Sequence, residues 1–318
     1  MKAAIINQFG GPKVFEIRDI ERPEIKADQI LIKVITVSIN PIDWKQRKGN
    51  HKFILGSPFP IVLGYDVCGE VEEAGTGITK FKNGDIVFGV LDNKYGGAMA
   101  EYAVGHENCF SIKPDNISNE EAAAFPMVSL TSLQALRDTV NLKPEQTILI
   151  NGASGGVGHV AIQIAKILGA RVIAVSSTQS KDFVEQFKPD LFIDYKTQDI
   201  LKLDMKVDIF FDVAANYTFP KTKHLLNPGG VYLNLEYINT LKKMPVNWLH
   251  QLFSKGKKAR SLLMKHNNAD LDLISQWIIE NKLRISLDKT FTLEKISDAH
   301  EYAQQGHNKG KNVVVISN

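Results

Sequence analysis

Four glycines, Gly152, Gly155, Gly156 and Gly158, crowd into the seven residues that end the run Thr-Ile-Leu-Ile-Asn-Gly-Ala-Ser-Gly-Gly-Val-Gly (147–158). The chemistry they suit is the binding of a phosphorylated ligand. With no side chains in the way, backbone N–H groups can approach a diphosphate, and a helix that starts at the turn brings its positive end there. The flanks agree: an apolar run precedes the turn, and an apolar helical stretch at 157–168 (VGHVAIQIAKIL) follows it. The spacing departs from Gly-x-Gly-x-x-Gly, with Gly155 and Gly158 in the last two places, Ala153 where the first glycine would be, and Gly152 before it. We read a dinucleotide site with Ala153, Ser154, Gly155, Gly156, Val157 and Gly158 around the diphosphate. A plain flexible turn is the weaker alternative.

A second group of residues bears on which dinucleotide is bound. The adenosine ribose is normally read at the end of the second strand, where an Asp or Glu accepts from the 2′-hydroxyl and selects NAD. Here that end reads Ser176-Ser177-Thr178, with Lys181 shortly after and Tyr195 just past the third strand. Hydroxyls and an ammonium suit a 2′-phosphate, and no acid stands at that end to repel it, so the expected cofactor is NADPH. Ala214, Ala215 and Asn216 follow the fourth strand, where open sheets bind ligands, and Glu236 follows the fifth, within reach of a nicotinamide.

Metal and thiol chemistry find little support. The two cysteines, Cys68 and Cys109, form neither a disulfide framework nor a Cys-x-x-Cys pair, and the eight histidines show no close ligand spacing. Net charge is +3 with a pI near 8.6, too weak to argue for nucleic acid. The densest basic stretch, 255–260 (KGKKAR), reads as a solvated helix face or loop. No apolar run reaches 18 residues, so no membrane partner is expected. The opening apolar run is too short for a signal peptide. Two cysteines, modest charge and 44% hydrophobic residues suggest a cytosolic, reduced protein.

The elements that must position these groups fall into two styles. Short β-branched runs at 2–6, 14–17, 29–37, 69–74, 85–90 and 100–104, broken by Gly, Pro and Asn turns, predict a barrel-like β domain. From about Ser118 the pattern changes to helices at 119–124 and 129–140. Five apolar strands then follow at 147–151, 171–176, 191–194, 207–213 and 231–235, alternating with helices. Near-continuous apolar strands are what a parallel sheet buried on both faces requires, so the fold class is α/β with a doubly wound sheet. An amphipathic helix at 271–279 closes that half, and 289–316 returns to the β style. A chain of 318 residues exceeds the usual size of one core. The expected division is 1–122 with 281–318 as one domain, and 123–280 as an inserted nucleotide domain.

Several segments resemble the medium-chain dehydrogenase/reductase superfamily, in its zinc-independent quinone oxidoreductase and alkenal reductase branch. They are Asn40-Pro-Ile-Asp-Trp-Lys45, Pro60-Ile-Val-Leu-Gly-Tyr-Asp66, Gly97-Ala-Met-Ala-Glu-Tyr-Ala103, Ala124-Phe-Pro-Met-Val-Ser-Leu-Thr131, Leu226-Asn-Pro-Gly-Gly-Val231 and Lys309-Gly-Lys-Asn-Val-Val-Val315. The resemblance spans essentially the whole chain. It implies a GroES-like catalytic domain around a Rossmann domain. Zinc members need thiolate and imidazole ligands. Here Tyr65 stands at the His position, Met127 at a Cys position, and the four-cysteine structural loop is missing, so no metal is expected.

What remains is hydride transfer to quinones or α,β-unsaturated carbonyls, whose developing charge is spread over an enolate or hydroquinone oxygen. By resemblance Asn40, Asp43, Lys45 and Tyr65 cluster beside the nicotinamide, and Thr131 touches it. Asn40 would bond the ribose or the substrate oxygen. Lys45 or Tyr65 would steady the oxyanion or relay a proton, and Asp43 would orient them. Structural roles stay open, with Asp43 as a helix cap and Tyr65 as a wall residue. A zinc-independent alcohol or carbonyl dehydrogenase, or an NADPH-binding interaction protein with little catalysis, fits the same residues. The apolar stretch Val246-Asn-Trp-Leu-His-Gln-Leu-Phe253 is either a lid or a subunit contact, and the resemblance implies a homodimer.

Overall fold

The computed structural model describes residues 1–236, 256–306 and 308–317. The stretch at 246–253 lies outside them. The chain divides into two compact units, Met1–Leu130 with His266–Asn318, and Thr131–Lys265.

The first unit is built on antiparallel strands. A small sheet joins β1 (Lys2–Ile6), β2 (Phe15–Asp19) and β4 (Ile61–Val62). The larger, seven-stranded sheet centres on the long β3 (Gln29–Ile39), which pairs with β5 (Asp66–Ala74) along one side. Along its other side β3 meets β7 (Tyr102–His106) and β16 (Lys311–Val315). β6 (Ile86–Val90), β8 (Phe110–Ile112) and β15 (Leu287–Thr292) complete it. The alternation of β-branched residues along β3 and β5 puts Ile30, Ile32, Val34, Val67 and Val71 into one apolar core with Leu63, Phe110 and Val314.

The second unit holds a six-stranded parallel sheet in the order β11-β10-β9-β12-β13-β14. Its strands are β9 (Thr147–Asn151), β10 (Arg171–Ser176), β11 (Leu191–Asp194), β12 (Val207–Asp212), β13 (Leu226–Asn234) and β14 (Lys258–Ser261). The order runs outward in both directions from β9, so the doubly wound prediction holds, and the direction of winding reverses between β9 and β12. Leu149, Ile173, Val175, Phe210, Phe219 and Tyr232 form its core.

Three readings need correction. Within the basic stretch, residues 258–260 are neither helix face nor loop, because Lys258–Ser261 pairs in parallel with β13 and is, among the described residues, an edge strand. Lysine and arginine are tolerated there since alternate residues of an edge strand point to water. The helix at Asn268–Ile279 belongs to the first unit rather than the second. Asn116 Nδ2 donates to Ile278 O (3.0 Å) and Lys80 Nζ pairs with Asp272 (2.8 Å), contacts that tie it to the β domain. The boundaries accordingly fall at 130/131 and 265/266, not at 122/123 and 280/281. Gln134 marks the second unit's two ends: its amide donates to Lys265 O (2.8 Å) and accepts from Lys265 N (2.9 Å). Finally, the helix expected over 129–140 is an α-helix at Pro126–Leu133 continued by a π-turn, Gln134–Thr139.

Candidate active site

The glycine turn of the second unit is built from three positions with three tasks. Gly152 carries φ +88°, a left-handed conformation that a side chain would strain. It is therefore the turn glycine, and the working spacing is Gly152-x-x-Gly155-x-x-Gly158, with Ala153 not standing in for a glycine. Gly155 caps the helix Gly156–Ile167, and a Cβ there would meet only Gly152 O at 3.5 Å. Gly158 lets the helix press onto the turn: a Cβ would come within 2.1 Å of Gly152 O and 2.8 Å of Ala153 Cα. The first-turn N–H groups of Gly156, Val157 and Gly158 have no acceptor within the helix. Ala153 is fully buried and its N–H is used on Val175 O (3.0 Å), so it shapes the turn without facing outward.

Beyond the turn, Ser176 Oγ donates to Ser154 Oγ (2.9 Å), joining the end of β10 to the glycine loop. Ser177 Oγ lies 3.4 Å from Ser180 Oγ. Lys181 is exposed, with Glu185 at 3.7 Å one turn on, a pair worth little in water. Tyr195 is half exposed and its N–H donates to Ser176 O (3.2 Å). The expectation that no acid stands here needs amendment. Parallel pairing sets Asp194 of β11 beside Ser176, and Thr178 Oγ1 donates to its carboxylate. Hydrogen bonds from Thr178 and from Lys196 N hold that carboxyl below its usual range. The acid lies on the next strand, which reading along the second strand alone does not reveal.

The loop after β12 is organised by Asp212, which is fully buried. Its carboxylate accepts from Asn151 Nδ2 (2.8 Å), Tyr217 N (2.8 Å) and Tyr232 Oη (3.0 Å). This fixes Ala214, whose methyl lies where a Cβ on Gly152 would come to 3.1 Å, and Ala215, held at φ +55°. Glu236 N donates to Asn234 Oδ1 (3.1 Å), and Thr131 is buried in the helix Pro126–Leu133.

The first unit collects the other predicted residues. Pro at the first position and Asn40 at the cap start the helix Pro41–Arg47. Asp43 accepts from Asn40 N (2.7 Å), so it is a cap, and it is also fully buried with Oδ1 unpartnered. Burial pushes its carboxyl well above the usual carboxylate range, opposed by the Asn40 hydrogen bond. Asn40 itself is buried, its Nδ2 donating to Asp66 Oδ2 (2.7 Å) and its Oδ1 accepting from Lys311 Nζ (2.6 Å). Asp66 also takes Ser38 Oγ (2.7 Å) and Met127 N (2.8 Å). Asp66 and Lys311 went unassigned from sequence; the signal was present in the Gly-Tyr-Asp and Gly-Lys-Asn segments, but nothing linear joins residues 66 and 311.

Tyr65 Oη donates to Lys94 O (2.7 Å) and accepts from Gln46 Nε2 (2.6 Å). Burial pushes its hydroxyl up to about 12, which makes it a poor proton source. Lys45 is half-buried beside Trp44, its Nζ 5.7 Å from the ring, and no ion pair to it is formed among the described residues. Its charge, after burial, lowers the basicity of His51. Among the described residues no group of His, Cys, Asp and Glu could hold a metal ion.

Comparison with known proteins places this architecture. Residues 26–115 match the alcohol dehydrogenase GroES-like domain, and residues 188–314 the zinc-binding dehydrogenase domain. A chloroplastic quinone-oxidoreductase homolog of Spinacia oleracea is 34% identical, over 96% of this chain and 95% of that protein. The chain belongs to the medium-chain dehydrogenase/reductase superfamily. Within this superfamily, a chloroplastic NADPH-dependent alkenal/one oxidoreductase of Arabidopsis thaliana is 32% identical, over 99% of this chain and 79% of the other. The quinone oxidoreductase of Coxiella burnetii superposes with a TM-score of 0.92 at 32% identity, covering 100% of this chain and 99% of that one. Two of these superfamily members are named as chloroplastic, which overturns the cytosolic expectation. Cysteine count and charge report on redox state and solubility; they carry no address. No helix among the described residues is long and apolar enough to cross a membrane.

Proposed function

We propose that this chain is a zinc-independent, NADPH-dependent oxidoreductase that passes hydride to quinones or α,β-unsaturated carbonyls. The observation that carries the reading is the donor set of the first unit. Asn40 and Lys45 supply N–H groups, while Tyr65 and Met127 offer neither imidazole nor thiolate where zinc dehydrogenases hold their metal. The named activities of the Spinacia and Arabidopsis relatives support the acceptor class and the cofactor.

The dinucleotide would lie against Ser154, Gly155, Gly156, Val157 and Gly158, with its 2′-phosphate toward Ser176, Ser177, Lys181 and Tyr195. Thr131, Ala214, Ala215 and Glu236 would bound its nicotinamide half. The turn fits a diphosphate, because a Cβ at Gly155 would meet only Gly152 O at 3.5 Å and the first-turn N–H groups have no acceptor within the helix. When bound, the nicotinamide supplies the hydride. The chain's residues then have an electrostatic task. The Lys45 ammonium stabilises the charge that develops on the acceptor oxygen, and the second Nδ2 hydrogen of Asn40 donates to the same oxygen. Asp43 holds Asn40 by its backbone and starts the helix that carries Lys45. Tyr65, with its proton committed to Lys94 O, forms the wall. A homodimer is part of this reading, supported by the edge strand Lys258–Ser261, which pairs on one side only among the described residues.

NADPH oxidation should be followed over a panel of quinones, 2-alkenals and simple ketones, with and without a chelator. Turnover of quinones or alkenals that the chelator leaves unchanged is expected. Turnover confined to ketones, or lost on chelation, would refute the proposal. Light scattering tests the dimer.

A further inference from the structure

Lys311 lies on β16, far along the chain from the helix that starts at Asn40, yet its ammonium is buried among that helix's capping groups. Its side chain is 3% exposed and Asp66, 3.3 Å away, is wholly buried. Lys311 Nζ donates to Asn40 Oδ1 (2.6 Å) and Ile39 O (3.3 Å), while Asp66 Oδ2 accepts from Asn40 Nδ2 (2.7 Å) and Ser38 Oγ (2.7 Å). The Asn40 amide is thus gripped at its oxygen by a cation and at its nitrogen by an anion.

That grip carries information. The two ends of an asparagine amide are nearly alike in shape, and neutral neighbours that both donate and accept tolerate either orientation. An ammonium has no lone pair to accept with, and a carboxylate has no proton to donate, so only one orientation satisfies both. One Nδ2 hydrogen is used on Asp66, and the other is left pointing in a single direction. A pair of opposite charges is an expensive way to fill a core and is often no better for stability than apolar residues of the same volume. Orientation is what it adds.

We propose that Lys311 is a positioning residue for acceptor reduction, which, paired with Asp66, fixes the Asn40 amide so that its second hydrogen meets the acceptor oxygen. This rests on the reading that the first unit reduces quinones or enones. No bond to Lys311 changes during turnover; the residue acts through Asn40.

The test compares K311M, K311R and the double variant D66N/K311M with the unaltered chain. kcat and KM are measured for 1,4-benzoquinone and a 2-alkenal, NADPH affinity by fluorescence titration, and folding by thermal melting. K311M should lower kcat about 20- to 100-fold, as a misaimed contact does, with NADPH affinity within about three-fold. K311R, which keeps the donor and its charge, should recover kcat to within about five-fold. The decisive variant is D66N/K311M. With both members of the Lys311–Asp66 charge pair removed together it should regain much of the melting temperature lost in K311M, yet kcat should stay at least ten-fold low, because the amide is free to turn over. A merely structural lysine would instead return kcat together with stability. Should the double variant fold and turn over like the unaltered chain, the positioning role is overturned while the reductase reading stands. If the unaltered chain reduces neither acceptor, the reductase reading falls and this proposal with it. Where K311M fails to fold, K311R and the double variant carry the comparison.

Discussion

Replacing Gly158 by alanine puts a carbon atom 2.1 Å from the carbonyl oxygen of Gly152 and 2.8 Å from Ala153 Cα, both backbone atoms that cannot swing aside. A carbon and a carbonyl oxygen settle at no less than about 3.3 Å. The helix Gly156–Ile167 must therefore retreat from the turn by roughly 1 Å, or the turn must open by as much. Either movement carries the first-turn N–H groups away from the place where a diphosphate would sit. Hydrogen bonds to a charged group contribute about 1.5–3 kcal/mol each. Weakening one of them gives a loss of roughly 10- to 100-fold in NADPH affinity. Gly155→Ala is the internal control for folding, since its methyl meets only Gly152 O at 3.5 Å, an ordinary contact. The assay is a titration of NADPH fluorescence alongside thermal melts of both variants. G158A should bind weakly while still melting cooperatively, and G155A should melt like the unaltered chain. A G158A protein that holds NADPH within three-fold of the original would show that the helix start is not where the diphosphate is seated.

Three further outcomes are expected. Ser177→Asp should cut the NADPH-over-NADH ratio of kcat/KM by roughly 10- to 100-fold, as a like charge placed against the 2′-phosphate must; an unchanged ratio would move that phosphate elsewhere. Lys45→Met should lower kcat about 10- to 50-fold with a quinone or alkenal, whereas Tyr65→Phe should stay within about three-fold, because its hydroxyl is already bound to Lys94 and Gln46; steady-state rates that reverse this order would exchange the two roles. His300 is wholly buried with both ring nitrogens unpartnered, and burial lowers its pKa from 6.5 to about 3. The folded chain keeps it neutral while the unfolded chain protonates it below about 6.5. Stability is therefore full above that pH and declines by up to about 1.4 kcal/mol per unit as pH falls toward 3. His300→Phe, whose ring can rest on Phe15 as the imidazole does, should flatten that slope in urea titrations at pH 7, 6 and 5; parallel slopes would refute this.

The elements with the strongest local signal were legible. Lys2–Ile6, Thr147–Asn151 and Arg171–Ser176 occupy the spans their apolar runs predict, because each is buried by its own composition, and Leu191–Asp194 does so as an outer strand with Ile193 alone buried. What stayed hidden depends on partners distant in sequence. Lys258–Ser261 reads as polar chain until β13 offers it an edge. Asp43 reads as a helix cap or an orienting group, and Lys311 draws no assignment from the sequence; their burial depends on Asn40, Asp66 and Lys311 meeting from three separated segments. Gly152 was visible as a residue, but its φ of +88° and hence its place in the motif was not. Asp194 was visible too, and only the parallel register with Ser176 gives it a bearing on cofactor choice.

The position of β16 has a consequence for how the protein is made. This strand is laid down between β15 and β3, so the sheet begun by the first forty residues cannot close until residues 311–315 have left the ribosome. The nucleotide unit, contiguous from Thr131 to Lys265, has no such wait. Synthesis can thus yield an intermediate with one unit folded and the other an open sheet, its apolar face and free edge in need of shielding. Because Lys311 arrives on that final strand, the charge grip on Asn40 is among the last contacts to form.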